Sequence, residues 1–192
     1  MRGDAYYRMA KKMGYRSRAS FKLLQINERF RVIKRGYTVV DLGAAPGGWS
    51  QVAKEISSGT VVAVDLQEIE PIDGVECIVG DFTKAEVLEK IKSSVKEVDV
   101  VLCDASPHLS GAKSTDQARA TGLAEDALRV ADELLREGGN FVIKAFRGEM
   151  YEEFFARVKR RFKRTKAYIP KATTRGSTES YIIGFGKMRG NI

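Results

Sequence analysis

The sequence feature that most constrains the fold is the stretch from residue 37 to residue 51, which reads Tyr-Thr-Val-Val-Asp-Leu-Gly-Ala-Ala-Pro-Gly-Gly-Trp-Ser-Gln. Its first residues form an apolar run that is typical of a parallel strand buried on both faces. The small residues from Gly43 to Gly48 would let the backbone approach a ligand closely, because few Cβ atoms stand in the way. The stretch therefore predicts a strand, a tight turn and a helix N-terminus, and the turn either holds a ligand or is only a turn.

The rest of the chain alternates strand and helix patterns with short connections. The predicted strands are 37–42, 60–66, 75–79, 98–103, 140–145, a strand following the helix marked by Tyr151 to Phe162, and 179–186. Further helices are predicted from Ser17 or Ser20 to near residue 36, over 48–57, from Thr83 with a capping box, and from Ser114 with a second box to Gly138-Gly139. Such alternation requires crossover helices. We predict a Rossmann-like α/β fold with a mostly parallel seven-stranded sheet, an antiparallel last strand and helices on both faces.

Charge divides the chain into three parts. Residues 1–35 carry 11 Lys and Arg against two acidic residues, residues 36–156 carry 11 against 22, and residues 157–192 carry 11 against one, so the net charges are +9, −11 and +10. The plainer interpretation is solvated charge, but blocks of one sign at both ends favour a polyanionic partner, RNA or DNA.

The N-terminal block interleaves its basic residues with tyrosines and lacks a persistent apolar period. We expect the first 20 residues to be a mobile arm or one that RNA orders. The predicted RNA contacts are Lys11, Lys12, Arg16 and Arg18. We predict a single domain over residues 1–192, with the basic arm and a helix in 1–35 and the catalytic core in 36–192.

Composition disfavours several other classes of protein. The longest apolar runs are far shorter than the roughly 20 residues of a membrane span, and the N-terminus lacks the apolar region of a secretory leader. The two cysteines, Cys77 and Cys103, do not have metal-ligand spacing. We therefore expect a soluble, cytoplasmic monomer without a membrane partner, a metal site or a disulfide.

Polar residues mark the ends of the predicted strands, where ligands of such a sheet bind. They are Asp41, Asp65, Asp81 and Asp104, with Lys144 inside the fifth strand. Asp65 follows Gly43 by 22 residues, near the separation at which an acid meets the ribose hydroxyls of a nucleotide ligand. Any one of these acids alone is more often a loop residue or a cap, but together they favour a ligand site.

The glycine pattern disfavours a dinucleotide ligand. The fingerprint G-x-G-x-x-G needs a middle glycine to admit a pyrophosphate, and this chain has Ala45 there. S-Adenosylmethionine, a nucleoside ligand without phosphate, fits the turn better. Acidic side chains accept hydrogen bonds from its ribose and adenine groups, and an acid near its sulfonium is electrostatically favourable.

Four segments carry a resemblance to a known family. They are residues 41–51, Gly14-Tyr-Arg-Ser-Arg-Ala19 followed by Lys22-Leu23, Asp104-Ala-Ser-Pro107 with Ser110-Gly111, and Phe141-Val-Ile-Lys144. Together they resemble the FtsJ/RrmJ family of ribose 2′-O-methyltransferases over nearly the whole chain.

The resemblance implies a Rossmann-like methyltransferase fold with S-adenosylmethionine as the methyl donor. The catalytic set it implies is Lys22, Asp104, Lys144 and Glu179, and the cofactor contacts it implies are Gly47, Trp49, Asp65, Asp81 and Asp104. His108 departs from the family pattern, because relatives often have Asn after the proline, and this leaves the local substrate contact undetermined.

Two lysines need partners that the sequence does not name. Lys144 lies inside an apolar strand, so apart from catalysis it is either a snorkelling lysine or part of a buried ion pair. Burial would favour its neutral amine, whereas Asp104 and Glu179 nearby would favour the ammonium, and the sequence leaves the balance open. Lys22 falls in the first turn of a predicted helix, which is a poor place for a cation, so it is exposed or has an anionic partner. In the predicted mechanism Lys144 accepts the proton of a ribose 2′-hydroxyl and Asp104 orients Lys144. Lys22 and Glu179 position the ribose and tune Lys144.

The predicted function is methyl transfer from S-adenosylmethionine to the 2′-hydroxyl of a uridine in large-subunit ribosomal RNA, because a short chain with this arm resembles the ribosomal RNA branch of the family. The transfer RNA branch is the alternative. Methylation of a base amine would need an Asn/Asp-Pro-Pro-aromatic turn, and the segment Asp104 to Pro107 lacks the aromatic residue. A non-enzymatic RNA-binding module would leave Lys144 and the Gly47-Gly48 turn without a purpose.

Overall fold

The computed structural model of the protein describes residues 5–107, 111 and 113–189, except for the side chains of residues 113 and 114. The strands are β1 Val39–Leu42, β2 Val61–Asp65, β3 Val75–Val79, β4 Val98–Cys103, β5 Leu135–Phe146, β6 Phe162–Tyr168 and β7 Glu179–Lys187. The helices are α1 Ala5–Met13, α2 Ser20–Phe30, α3 Gly48–Ser57, α4 Ala85–Ser94, α5 Lys113–Leu134 and α6 Tyr151–Lys159.

The seven strands form one sheet in the order β3-β2-β1-β4-β5-β7-β6. Strands β1 to β5 pair in parallel, and β7 lies antiparallel between β5 and β6. This arrangement confirms the predicted, mostly parallel sheet with an antiparallel last strand. Because β1 has β2 on one side and β4 on the other, the direction of winding reverses at β1, and a crevice opens beyond the carboxyl ends of these strands.

Helices cover both faces of the sheet, as predicted. Helices α2 and α3 pack on one face with Leu23, Ile26 and Val52, and α4, α5 and α6 pack on the other. Because β1 and β4 are buried on both faces, their residues form apolar runs instead of an alternating pattern. No helix in the described part of the chain is long and apolar enough to cross a membrane. Cys77 and Cys103 are both free thiols.

The N-terminal residues, predicted to be a mobile arm or one that RNA orders, contain a helix in this structure. Residues 5–13 form helix α1, whose Ala10 is buried against Phe21 and Ala172. The ring of Tyr6 also packs on Phe21, with 5.5 Å between the ring centroids. The inward face of this helix is small because Tyr6 and Ala10 are spaced i, i+4 among basic residues, and that pattern is too short to stand out in the sequence.

Several predicted boundaries and caps differ. Helix α2 ends at Phe30 instead of near residue 36, and its N-cap position is Ala19, so the predicted cap at Ser17 or Ser20 is wrong. Strand β5 begins at Leu135 instead of residue 140, so α5 ends before Gly138-Gly139. Helix α6 ends at Lys159 instead of continuing to Phe162, which begins β6 and stacks on Phe141 with 6.0 Å between centroids. Helix α4 begins after Lys84 and has no side-chain cap, so the predicted capping box at Thr83 is wrong. The second predicted box involves the side chain of Ser114, which lies outside the described residues.

Candidate active site

The carboxyl ends of β1, β2 and β4 border a cavity of about 1200 Å³. Three of the predicted strand-end acids line it, namely Asp65, Asp81 and Asp104. The parallel pairing of the strands places these ends at the same edge of the sheet, which is why residues far apart in sequence meet there.

Two glycines of the turn after β1 lie close to neighbouring residues. Gly43 has a φ of +68°, and a Cβ atom added to it would lie 2.5 Å from the Cβ atom of Ala105. Gly47 has a φ of +106°, and its Cβ atom would lie 2.7 Å from Cδ1 of Ile72. Both positions favour glycine for their backbone conformation, and Gly43 needs it for space as well, so the turn is a narrow cradle at the edge of the cavity.

Asp65 joins two walls of the cavity. Its Oδ2 accepts a hydrogen bond from the backbone N–H of Ala45 at 2.9 Å, and its Oδ1 accepts one from the backbone N–H of Gln67 at 2.9 Å. A carboxylate oxygen accepts more than one hydrogen bond, so these contacts orient Asp65 and leave acceptor capacity for hydroxyl groups of a ligand.

Asp81 is held as a charged acceptor. Partial burial acts to raise its pKa, but hydrogen bonds from Thr83 and the charge of Lys84 outweigh this, and the pKa lies below its usual range. One of those bonds runs from the Thr83 amide to Oδ1 at 2.9 Å. Asp81 is therefore ionised at neutral pH and suited to accept from an amine or a hydroxyl.

Asp41 is fully buried behind this edge of the sheet. Its Oδ2 accepts a hydrogen bond from the Ser50 hydroxyl at 2.6 Å, and its Oδ1 has no hydrogen-bond partner among the described residues. Burial, together with the charges of Asp104 and Asp65, raises the pKa of Asp41 to about 7 against the opposing effect of the hydrogen bond from Ser50. Asp41 thus changes charge near neutral pH.

Replacing Asp41 with asparagine should flatten part of the pH dependence of stability. Because folding raises the pKa of Asp41 from 3.8 to about 7, its contribution to stability is complete below pH 4 and is lost as the pH rises through 7. The variant has no such group, so its free energy of unfolding relative to the wild type should rise by about 3 kcal/mol or less between pH 5 and pH 8. Urea unfolding at the two pH values measures this difference, and an unchanged difference would show that Asp41 is charged at both.

Lys144 and Asp104 form a pair beside the cavity. The Lys144 side chain is 8% exposed, and its Nζ donates to the Asp104 backbone carbonyl at 2.5 Å and lies 3.3 Å from Oδ1 of Asp104. The alternative of a snorkelling lysine does not apply, because the amine is buried with an acidic partner. A neutral amine has two N–H groups and one lone pair, so it can satisfy both contacts and still accept a proton.

Lys22 and Glu179 form a second buried pair. Lys22 Nζ lies 2.6 Å from Oε1 of Glu179, and both side chains are less than 15% exposed. The anionic partner of Lys22 is therefore Glu179, which offsets the unfavourable position of a cation in the first turn of α2.

Tyr181 links the two pairs, and the sequence did not single it out. Its hydroxyl lies 2.7 Å from Oδ1 of Asp104 and 2.9 Å from Oε1 of Glu179. Burial, with the two neighbouring carboxylates, raises the pKa of Tyr181 well above its usual range, so the hydroxyl keeps its proton and donates it to one acid at a time. The four predicted catalytic residues thus form one continuous polar network through Tyr181. The sequence signal that could have identified Tyr181 is its spacing, since it follows Glu179 by two residues and so lies on the same face of the strand.

The predicted cofactor residue Trp49 is buried away from the cavity. Its indole N–H donates to the Ala19 carbonyl at 2.8 Å, and its ring packs on Tyr181 with 5.6 Å between centroids. Its side chain therefore anchors α3 to α2. Neither Trp49 nor the predicted cofactor residue Gly47 is among the described residues that line the cavity. His108 and Ser110, which follow β4, lie outside the described residues.

The predicted RNA contacts fall into two groups. Lys11 and Lys12 are exposed on α1, and Lys11 Nζ lies 5.4 Å from the centroid of the Tyr7 ring. Arg16 and Arg18 are half-buried and make hydrogen bonds within the protein. Arg18 Nη2 donates to the Ala172 carbonyl at 2.6 Å.

The residues of the cavity fit S-adenosylmethionine. Its lining contains six acidic residues and two arginines among the described residues. A negative cavity attracts the cationic sulfonium and ammonium groups of this donor and disfavours a ligand with phosphates. The glycine cradle allows close approach of the donor, and Asp65 and Asp81 provide acceptors for its hydroxyl and amine groups.

A family model and individual relatives point to the same protein family. The family model of FtsJ-like methyltransferases matches residues 15–187. The chain is 56% identical over 185 residues to a ribosomal RNA large subunit methyltransferase E from Methanosarcina barkeri, a match covering 95% of this chain and 70% of the relative. A protein of the same name from Methanosphaerula palustris is 51% identical over 180 residues, covering 94% of this chain and 89% of the relative.

Solved structures share the fold. A Plasmodium falciparum protein assigned as a ribosomal RNA methyltransferase superposes with a TM-score of 0.82 at 24% identity, covering 90% of this chain and 98% of that one. A Streptococcus mutans protein assigned as a methyltransferase, in complex with SAH, gives a TM-score of 0.54 at 15% identity, covering 89% and 96%.

Proposed function

Because the chain belongs to the FtsJ-like methyltransferase family, we propose that it transfers a methyl group from S-adenosylmethionine to the ribose 2′-hydroxyl of a uridine in large-subunit ribosomal RNA. The observation that carries this proposal is the buried Lys144–Asp104 pair, in which Asp104 also lines the acidic cavity. The names of relatives more than 50% identical support the choice of RNA.

When bound, S-adenosylmethionine supplies an electrophilic methyl group on a positively charged sulfur. The protein must then remove the proton of the ribose hydroxyl, and we assign this step to Lys144. Asp104 holds the Lys144 amine through its backbone carbonyl and its carboxylate, which leaves the amine lone pair to accept the proton. Asp104 then stabilises the ammonium that forms.

Lys22 and Glu179 lie at the other end of the polar network, linked to Asp104 by Tyr181. We assign them to positioning the ribose beside Lys144. A positioned general base accounts for about 10²- to 10⁴-fold of the acceleration. The rest must come from alignment of the two bound reactants, for which a rigid, hydrogen-bonded network is suited.

The two basic ends of the chain meet on one side of the protein. Helix α1 and Phe21 of α2 pack on Ala172, in the connection between β6 and β7, and Arg18 donates to Ala172 and to Thr174. The N-terminal and C-terminal blocks of positive charge are therefore neighbours, which supports one RNA-binding surface beside the network. On this surface we assign phosphate contacts to the exposed residues Lys11 and Lys12.

Replacing Lys11 and Lys12 together with alanine should weaken RNA binding and lower its salt dependence. Each lost phosphate contact reduces the slope of log K against log salt by about 0.7 to 0.9. The dissociation constant for RNA at several salt concentrations measures this slope. Lys90→Ala, which removes an exposed charge from α4, is the control and should leave the slope unchanged. Equal slopes for the double variant and the control would contradict the assignment.

We also propose that residues 1–192 form a single catalytic domain that acts as a monomer in the cytoplasm. The packing of α1 and α2 against the rest of the described chain supports one domain. The proposed ribosomal RNA substrate supports the location.

Incubation with labelled S-adenosylmethionine and separate pools of large ribosomal subunits, free ribosomal RNA and transfer RNA tests the proposed substrate. Label should enter large-subunit ribosomal RNA, either in the subunit or free. Label in transfer RNA alone would contradict the proposal and favour the transfer RNA branch of the family. If the protein binds the donor but no pool accepts label, neither ribosomal RNA nor transfer RNA is the substrate, and the proposal is wrong.

A further inference from the structure

Arg16 bridges the N-terminal segment and the walls of the cavity. Its guanidinium donates three hydrogen bonds to backbone carbonyls, from Nη1 to Pro46 at 3.2 Å and to Glu70 at 2.5 Å, and from Nη2 to Pro71 at 2.8 Å. Its own amide donates to Oε1 of Gln51 at 3.0 Å. These four contacts all reach the turn after β1, the first helix turn beyond it, or the loop after β2.

The loop after β2 forms one side of the cavity. Residues 66–70 all line it, and most of their side chains point to solvent, with Leu66 71% exposed. Ile69 is the buried exception and packs on Ala44 and Ala63. Ile72 packs on the same cluster. The loop is thus held by these two apolar side chains, by the hydrogen bond between Asp65 and the Gln67 backbone amide, and by the hydrogen bonds from Arg16 to the carbonyls of residues 70 and 71.

Arg16 also lies against the glycine cradle. A Cβ atom on Gly47 would be 3.2 Å from Nη1 of Arg16 and 3.3 Å from Cγ2 of Ile69. The cradle, the guanidinium and the loop therefore pack as one unit. The planar guanidinium fork spreads its N–H donors over separate nitrogens and so reaches carbonyls of both segments, whereas a lysine ammonium presents its three donors from a single atom.

We propose that Arg16 is a positioning residue that clamps the loop after β2 over the methyl-donor cavity. Through this clamp, the packing of the N-terminal segment, residues 5–19, against the rest of the protein is coupled to binding of the donor. This inference rests on the proposed function only in that the ligand of the cavity is S-adenosylmethionine. The competing role is the one predicted from sequence, a direct contact with RNA phosphate. The two roles predict different effects of removing Arg16: a clamp lowers the affinity for the donor, whereas a phosphate contact lowers the affinity for RNA.

Two measurements without RNA separate these roles. The dissociation constant for S-adenosylmethionine, measured by calorimetry, should rise about tenfold or more in Arg16→Ala, as expected for the loss of hydrogen bonds from a charged donor. Amide hydrogen exchange of residues 66–72 in the ligand-free protein should accelerate in the same variant. Arg16→Lys should behave like Arg16→Ala, because it keeps the charge but loses the fork. In turnover assays the KM for the donor should rise more than kcat falls.

Gln25→Ala controls for general loosening of the N-terminal segment. Gln25 holds that region by accepting from the Ala172 amide at 3.0 Å and donating to the Tyr6 hydroxyl at 3.3 Å, and none of these three residues lines the cavity. It should leave donor affinity and exchange of residues 66–72 within about twofold of the wild type, since it breaks no contact of the clamp.

Three outcomes would overturn the clamp. Unchanged donor affinity in Arg16→Ala, together with weaker RNA binding, would make Arg16 a phosphate contact. Equal effects of Arg16→Ala and Gln25→Ala would show that Arg16 only helps to pack the N-terminal residues against the protein. Wild-type behaviour of Arg16→Lys would show that only the charge of Arg16 matters. If the wild type itself fails to bind the donor, the proposed function fails, whereas the exchange of residues 66–72 still reports on the clamp.

Discussion

Replacing Lys144 with methionine is expected to lower the rate of methyl transfer by about 10²- to 10⁴-fold, the contribution of a positioned general base. Methionine keeps most of the apolar stem inside β5 and removes only the amine. Asp104 keeps its contact with Tyr181, so the cavity and its donor affinity should change little. Single-turnover rates with saturating RNA and calorimetry with S-adenosylmethionine measure the two effects separately.

The control for this variant is Lys90→Met, on the exposed side of α4. It should transfer methyl groups at the wild-type rate. If Lys144→Met retains more than a tenth of the wild-type rate, Lys144 is not the proton acceptor and serves as a structural partner of Asp104. If it loses donor binding as well, the buried pair is part of the cofactor site.

Replacing Gly43 with alanine is expected to weaken donor binding by about two orders of magnitude. The cause is the clash, because the new Cβ atom would lie 2.5 Å from Cβ and 3.1 Å from Cα of Ala105 at the edge of the cavity. The left-handed conformation also costs a residue with a Cβ atom about 1 to 2 kcal/mol of folding stability. Because Ala105 follows Asp104 directly, relief of the clash must shift the residue that holds Lys144. Methyl transfer should therefore fall together with donor affinity.

Gly36→Ala is the matched control. Gly36 has a φ of +83°, but a Cβ atom there meets nothing within 4 Å, so it isolates the conformational cost from the clash. Both variants should lose about 1 kcal/mol of unfolding free energy from the conformational term, and only Gly43→Ala should lose donor affinity. Equal donor affinity in the two variants would show that the cradle tolerates a side chain.

Most of the sheet could be predicted from the sequence because its central strands, such as β1, β2 and β4, are apolar runs between clear breakers. Strands β3 and β4 have the predicted bounds, and the small-residue turn places the start of α3 at Gly48 as predicted. Boundaries failed where tertiary contacts decide them. Phe162 fits the helical pattern of α6, yet it leaves the helix to stack on Phe141 across the sheet.

Part of the candidate site could also be predicted, because the predicted sheet fixes where the strand ends lie. Parallel strands bring their ends together, so Asp65, Asp81 and Asp104 were expected at one edge. Tyr181 was missed because an aromatic residue in a strand is typical of a core. Only the antiparallel register of β5 and β7, which pairs Lys144 with Tyr181, places its hydroxyl between the acids.

The role of Arg16 could not be predicted, because it depends on contacts across the chain. A basic residue in a basic segment favours a phosphate contact on charge alone. Its hydrogen bonds to Pro46, Glu70 and Pro71 span 30 to 55 residues. No local pattern reports on backbone carbonyls at such distances.

The central claim is that Lys144 serves methyl transfer to a ribose hydroxyl. The most direct measurement is nucleoside analysis of large-subunit ribosomal RNA after reaction with labelled S-adenosylmethionine, with the wild type and Lys144→Met compared. The account predicts label in 2′-O-methyluridine for the wild type and almost none for the variant. Label on a base, or equal 2′-O-methyluridine from both proteins, would contradict it.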